Sequence, residues 1–99
     1  MTSPISDPSA SSLLDSMIGQ AVVIDMRSTY VCLGTLVGLD DTFFELADAD
    51  LHDLRDSTAT REIYVYDSKR LGIRRNRAFV LIRRDDVVAL TRFRDISEN

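Results

Sequence analysis

Arginine dominates the groups in this sequence that can bind an anion. Eleven of the twelve basic residues are arginine, and Arg83 and Arg84 are adjacent, with Asp85 and Asp86 directly after them. The planar guanidinium group binds phosphate and carboxylate through paired hydrogen bonds. This segment therefore predicts either an anion-binding turn or an exposed turn in which the two aspartates neutralise the two arginines.

Charge is distributed unevenly along the chain. Residues 1–60 contain ten acidic and two basic residues, a net charge of −8, whereas residues 61–99 contain ten basic and six acidic residues, a net charge of +4. A basic surface can therefore exist on a protein whose total charge is −4. The densest basic segment, Lys69 to Arg77, is either a second anion-binding face or, more simply, a solvated loop that pairs with the acidic segment Asp48 to Asp56.

A third group has residue types that can bind a divalent cation. Asp48, Asp50 and His52 would share one face if a single strand continued through them. Carboxylates and imidazole are suitable ligands, and a metal-dependent hydrolase is the functional hypothesis that such a site would support. The spacing is equally typical of a solvated strand face, so we predict no metal site.

No residue has the sequence context of a catalytic nucleophile. His52 is the only histidine, and Cys32 alternates with apolar residues in a predicted strand, which indicates a small core side chain. The sequence contains no P-loop, dinucleotide-binding fingerprint or zinc-ligand spacing. We therefore predict that the protein is not an enzyme and uses no cofactor.

Length and composition predict one small cytoplasmic domain. The 99 residues, of which 44% are apolar and 28% are charged, are typical of a single globular unit. A core of this size gains from further burial at a subunit interface.

The single cysteine excludes an internal disulfide, and the sequence has the features of neither a secretory signal nor a membrane helix. Residues 1–12, rich in Ser and Pro, predict a disordered tail.

Apolar periodicity predicts a short helix that ends near Met17 and Gly19, followed mainly by strands. Ala21 begins a strand predicted to be half-buried, and Gly34 and Gly38 predict sharp bends in the next one. An extra strand or hairpin arm is expected around Ile63 to Tyr66. The other predicted strands are Tyr30 to Leu39, Phe43 to Leu51, Phe79 to Ile82 and Val87 to Leu90.

The last two predicted strands are apolar on both faces. One face of a strand in an isolated small barrel should meet water, so this pattern suggests that a neighbouring subunit covers or pairs with both strands.

The order of these elements, together with two motifs, resembles the Sm-like family. The first motif is GTLVGLDDTFF at residues 34–44, and the second is IRRDDV at residues 82–87. The resemblance implies an all-β fold with a short N-terminal helix, namely a strongly bent, five-stranded, antiparallel small barrel of the SH3-like type. It would span residues 13–96, with an inserted loop or hairpin at about 53–77. It also implies a cyclic homo-oligomer, a hexamer or heptamer, joined head to tail through the last two strands.

The resemblance further implies that single-stranded RNA binds around the central pore. In the family pattern an aromatic residue stacks on a base, an Asn reads the base edge and an Arg closes the pocket. Asp40 and Arg83 match the family residues, whereas Thr42 occupies the aromatic position, Phe44 the Asn position and Arg84 a Gly position. A slip of one residue would place Phe43 in the stacking role, although core packing is the other interpretation of both phenylalanines. The RNA-binding residues expected from the resemblance are Asp40, Thr42, Phe43, Phe44, Arg83 and Arg84.

Two functional hypotheses follow. The first is a bacterial-type, non-catalytic ring that holds single-stranded RNA at a basic pore, with no DNA or membrane partner, as in a ribonucleoprotein. The alternative is an Sm-fold scaffold that binds protein partners without RNA, and the missing Asn and the net negative charge favour it.

Overall fold

Five antiparallel strands form the framework of the computed structural model, which describes residues 13–97. The sheet order is β4-β3-β2-β1-β5, so the last two strands lie at opposite edges. The predicted tail, residues 1–12, lies outside the described part. A helix, α1, is described at residues 13–15. The remaining elements are β1 (Ala21–Met26), β2 (Tyr30–Leu39), β3 (Phe43–Asp53), α2 (Arg61–Leu71), β4 (Arg77–Arg83) and β5 (Val87–Arg92).

Alternating residues of β1 build the larger of two hydrophobic clusters, called here the inner core. Val22, Ile24 and Met26 lie in it together with residues of β2, β3 and β4. Leu14 and Met17 pack against the same cluster, so the N-terminal helical segment covers this core, whereas Leu13 and Ile18 remain exposed. The helix ends at residue 15, earlier than predicted, and a turn continues to Gly19, which has a φ of 89° and whose N–H donates to Leu36 O at 2.7 Å.

The opposite face of the sheet is covered by α2, and the prediction of a strand or hairpin arm around Ile63 to Tyr66 is wrong. The Thr60 hydroxyl accepts a hydrogen bond from Ile63 N at 3.2 Å and caps the helix, and Gly72, at a φ of 94°, follows its last turn. The alternation over four residues was too short to reveal the helical period, in which Tyr64, Val65 and Ser68 share one face.

Helix α2 also changes the burial of β1. Val65 forms a second cluster, the outer core, with Val23, Val31 and Leu33. Val23 is only 1% exposed, so the expectation that β1 is half-buried is wrong. A helix on the outer face removes from water the residues that an uncovered sheet would expose.

A β-bulge interrupts β3 at Asp48 and Ala49. Leu33 pairs with Asp50 and Thr35 pairs with Ala47, so Gly34 alone faces two residues of β3. Asp48 has a φ of 51°, and the extra residue shifts the alternation so that Ala49 enters the inner core. Asp48 is exposed, whereas Asp50 is buried. The expected single face of Asp48, Asp50 and His52 therefore does not form.

The two edges of the sheet carry exposed apolar side chains. Within residues 13–97, β4 pairs with β3 alone and β5 pairs with β1 alone, so the bent sheet does not close on itself. Phe79 and Leu81 on β4 are 54% and 47% exposed, and Val88 on β5 is 67% exposed. Each edge strand therefore has unpaired backbone groups beside apolar surface.

Cys32 lies in the inner core, as predicted, and burial raises the pKa of its thiol to about 12, with a smaller contribution from the negative charge of Asp50. None of the helices described in residues 13–97 has the length and apolar character needed to span a bilayer.

The bulge allows the effect of substitutions at two glycines of β2 on stability to be predicted. A Cβ atom at Gly34 would lie 2.9 Å from Ala49 Cβ and 3.1 Å from Ala49 Cα, neither of which can move freely. We expect Gly34→Ala to lower the free energy of unfolding by about 1–3 kcal/mol, the usual cost of overpacking. Urea denaturation measures this change.

Gly38→Ala is the matched control in the same strand. Its Cβ atom would meet the flexible carboxylate of Glu45, which can rotate away. We expect this variant to change the free energy of unfolding by less than about 1 kcal/mol. Equal losses in the two variants would show that the Gly34–Ala49 approach does not constrain the sheet.

Candidate functional site

The two sequence motifs meet at one end of the sheet. The turn after β2 and the turn after β4 are brought together because Phe43 of β3 pairs with Arg83 of β4. Just beyond this pair, Arg84 N donates a hydrogen bond to Thr42 O at 2.8 Å. Antiparallel pairing thus places residues that are about 40 positions apart in one site, called here the two-turn site.

Asp40 shapes the first turn with its carboxylate. Its Oδ1 accepts hydrogen bonds from Thr42 N at 2.8 Å and from Phe43 N at 2.7 Å. These two amides, that of Phe43 more strongly, lower the pKa of the Asp40 carboxyl group, and the Arg84 charge adds a smaller effect. Asp40 therefore folds the turn, and one of its two oxygens is already occupied.

Arg84 is held between the two turns. Its Nη1 donates to Asp40 O, and its guanidinium carbon lies 5.1 Å from the centroid of the Phe44 ring. Phe44 itself is 5% exposed and belongs to the inner core. The pair combines a cation–π contact with a backbone hydrogen bond, so Arg84 ties the second turn to the first.

Asp40, Thr42 and Arg83 are the exposed residues of the site, and of these Arg83 carries the positive charge. The Arg83 side chain is 69% exposed, and its nearest acid, Asp85, lies 3.9 Å away, at the limit of an ion pair. Phe43 is half-buried. The structure thus brings all six sequence-predicted residues together, with Arg83 available to an anion and with Phe44 and Arg84 engaged in packing.

A second polar cluster, which sequence reasoning missed, lies under α2. Tyr64 Oη donates to Asp50 Oδ2, and the rings of Tyr64 and His52 stack with centroids 4.2 Å apart and an angle of 8°. Asn76 Nδ2 donates to Asp50 Oδ1 at 3.1 Å. Burial and the bond to Asp50 raise the pKa of the Tyr64 hydroxyl. The sequence could have indicated this cluster only if the segment around Tyr64 had been predicted as a helix.

The residues of the basic segment have separate partners. Arg75 pairs with Asp48 at 2.7 Å, in agreement with the predicted pairing to the acidic segment, whereas Arg70 pairs with Asp67 of its own helix. Lys69 Nζ donates to Ile96 O at 2.7 Å, near the end of the described chain. No three His, Cys, Asp or Glu side chains in residues 13–97 are grouped so that they could hold a metal ion.

Comparisons with known proteins identify the fold. A scan against protein-family models gives no match, and a search of curated proteins gives none. Solved structures do match. An Sm protein from Pyrococcus abyssii in complex with a uridine heptamer has a TM-score of 0.57 and 18% identity, covering 82% of this chain and 93% of its own. The SmAP1 heptamer of P. aerophilum has a TM-score of 0.53 and 16% identity, with coverages of 83% and 89%.

A third match comes from a structure of the NatC complex bound to CoA. One of its chains has a TM-score of 0.52 and 15% identity, covering 79% of this chain and 80% of its own. Together with the element order described above, the matches to the Sm structures establish that the chain has the Sm-like fold. This confirms the fold expected from the resemblance.

The hydrogen bonds of Asp40 predict how its contribution to stability depends on pH. Because its folded-state pKa is lowered below the ordinary value of 3.8, its contribution to stability is present above pH 3.8 and is lost as the pH falls through the folded-state pKa. We expect NMR titration to give an Asp40 pKa below 3.8, with the Thr42 and Phe43 amide signals moving in the same pH range.

Asp40→Asn is the control for this titration. The amide oxygen can accept the same two hydrogen bonds but cannot titrate, so the pH dependence of the two amide signals should disappear. An Asp40 pKa of 3.8 or higher would contradict the geometry described.

Proposed function

We propose that this protein forms a ring of six or seven identical subunits that holds single-stranded RNA by its phosphates at the two-turn site, without catalysis. The observation that carries this proposal is the sheet with two unpaired apolar edges, β4 and β5. The arginines of different subunits can surround one RNA strand only if those edges pair between copies.

Head-to-tail pairing satisfies both edges at once. When β4 of one copy adds to β5 of the next, the unpaired backbone groups form a continuous ladder, and Phe79, Leu81 and Val88 leave water. The two surfaces differ, so each copy keeps one free edge until the ring closes. The SmAP1 heptamer of P. aerophilum supports this assembly, because it has the same fold.

Arg83 is the residue proposed to contact the phosphates. It is the exposed guanidinium of the two-turn site, and a ring would repeat it in every subunit around one axis. The similarity to an Sm protein bound to a uridine heptamer supports a single-stranded RNA ligand.

Base recognition is expected to be weak at this site. Thr42 offers no aromatic surface for stacking, and Phe44 is buried and has no amide with which to read a base edge. Phe43, which is half-buried, is the remaining ring that could stack on a base. We therefore propose binding that depends on charge and discriminates little between bases.

A protein-binding scaffold is the second candidate. The fold match to a chain of the NatC complex supports it, since that structure is of a protein complex bound to CoA. The net charge of −4 also favours it over a nucleic-acid ligand.

Substitutions at the two edges test the assembly. We expect Leu81→Glu on β4 and Val88→Glu on β5 each to convert the ring into monomers of 11.1 kDa, because each places a charge in an apolar interface. Mixing the two variants should give a dimer, since one intact β4 edge and one intact β5 edge remain. Size-exclusion chromatography with light scattering measures the masses.

Ile63→Glu is the matched control, because Ile63 is 50% exposed but lies on α2, away from both edges. It should leave the mass of the ring unchanged. A monomeric wild-type protein at micromolar concentration, or a mixture of the edge variants that stays monomeric, would exclude head-to-tail assembly.

RNA binding is tested by fluorescence anisotropy with uridine-rich and adenine-rich oligonucleotides at two salt concentrations. We expect the two affinities to agree within about threefold and to fall as salt rises, because phosphate contacts release counterions. Arg83→Ala should weaken binding by at least about tenfold and reduce the salt dependence.

Arg94→Ala is the matched control for charge and exposure, because its side chain is 68% exposed and lies beyond β5. We expect it to weaken RNA binding by less than about threefold, because it removes one positive charge but no phosphate contact. If neither RNA binds at low salt, the RNA proposal fails and the scaffold hypothesis replaces it.

A further inference from the structure

A cavity of about 460 Å³ lies between α2, β3 and the segment that follows the helix. We propose that this side cavity binds a nucleotide, with the base inside and the phosphate at Arg74. Its volume is in the range of small-molecule sites. Asp50 is six residues along β3 from Phe44, about 20 Å in an extended strand, so the side cavity is separate from the two-turn site. The proposal does not depend on RNA binding at the two-turn site.

The floor of the side cavity is a buried carboxylate. Asp50 is 8% exposed, and its two oxygens accept hydrogen bonds from Tyr64 Oη and Asn76 Nδ2. Both donors are neutral, so they stabilise the negative charge without cancelling it. The floor therefore repels an anion and favours the polar, uncharged edge of a heterocycle.

His52 supplies an unused hydrogen-bonding atom. Its ring stacks on Tyr64, and its Nε2 is buried with no hydrogen-bond partner in the part of the chain that the structure describes. A buried polar atom without a partner is costly and usually indicates a missing ligand or water. This nitrogen is closed to solvent in the free protein, so we infer that the His52 ring turns toward the cavity as the ligand enters. A nucleobase presents both donors and acceptors along its edge and can then pair with it.

The rim of the cavity carries charges of both signs. Its carboxylate, Asp67, pairs with Arg70 at 3.2 Å. Arg74 lines the opening and belongs to none of the ion pairs formed within residues 13–97. Leu71, also at the rim, is 83% exposed, and a flat apolar ring face would cover it.

These charges set the orientation of the ligand. The Arg74 guanidinium can bind a phosphate at the opening, while the Asp50 carboxylate keeps the phosphate out of the floor. A bare metal ion fits less well, because both oxygens of Asp50 already accept hydrogen bonds from Tyr64 and Asn76. A base joined to a phosphate satisfies both ends of the cavity.

The test uses adenosine monophosphate, uridine monophosphate, adenosine and inorganic phosphate as probes of the full chain, with NMR detection of the His52 and Tyr64 ring signals. We expect either monophosphate to move both sets of signals saturably. Arg74→Ala should weaken binding of the monophosphates by about tenfold and leave adenosine binding unchanged, because only the phosphate contact is lost.

Arg75→Ala is the matched control, since the neighbouring Arg75 pairs with Asp48 and does not line the cavity. It should leave monophosphate binding unchanged. The proposal is overturned if the ring signals do not move at millimolar monophosphate, if inorganic phosphate moves them equally, or if Arg74→Ala has no effect.

Discussion

The close approach of Gly34 in β2 to Ala49 in β3 is the constraint on which the other features depend. The absence of a side chain at Gly34 lets β3 bulge at that point, and the bulge changes which residues of β3 face each side of the sheet. Before it, Phe44 and Leu46 enter the inner core; after it, Ala49 does. Asp50 and His52 consequently meet Tyr64 of α2.

The edges of the sheet follow from the same architecture. A chain of this size buries limited apolar surface, and here the five strands do not close, so the outer edges of β4 and β5 stay unpaired within the described chain. Pairing between copies would add a core that the single chain lacks. Such an assembly would also determine function, because Arg83 is one exposed cation in a monomer but a ring of cations in an oligomer.

Two residues that differ from the motif this sequence resembles lie in contact with each other. Phe44 occupies the Asn position and Arg84 the Gly position, and the structure places the guanidinium of one over the ring of the other. Together they join the two turns through packing and a hydrogen bond to Asp40 O. This arrangement fits the proposed site, which binds through shape and charge rather than by reading a base.

The sequence by itself determined the features that depend on local periodicity. The start of β1, the bounds of β2 and the Sm-like order of strands were all predictable, because alternation and turn residues act within a few positions. The two-turn site was predictable as a set of residues, since each motif is continuous in sequence. How Arg84 and Phe44 share the site was not, since their contact joins two separate motifs.

Only the tertiary structure decided the features that depend on distant contacts. The segment around Ile63 to Tyr66 alternates like a strand, yet it forms a helix because its caps and its burial on β1 and β2 outweigh a four-residue pattern. The single extra residue at Asp48 reversed the alternation of β3, which no local signal revealed. The side cavity joins β3, α2 and the segment after the helix, so it exists only once these three parts of the chain have packed together.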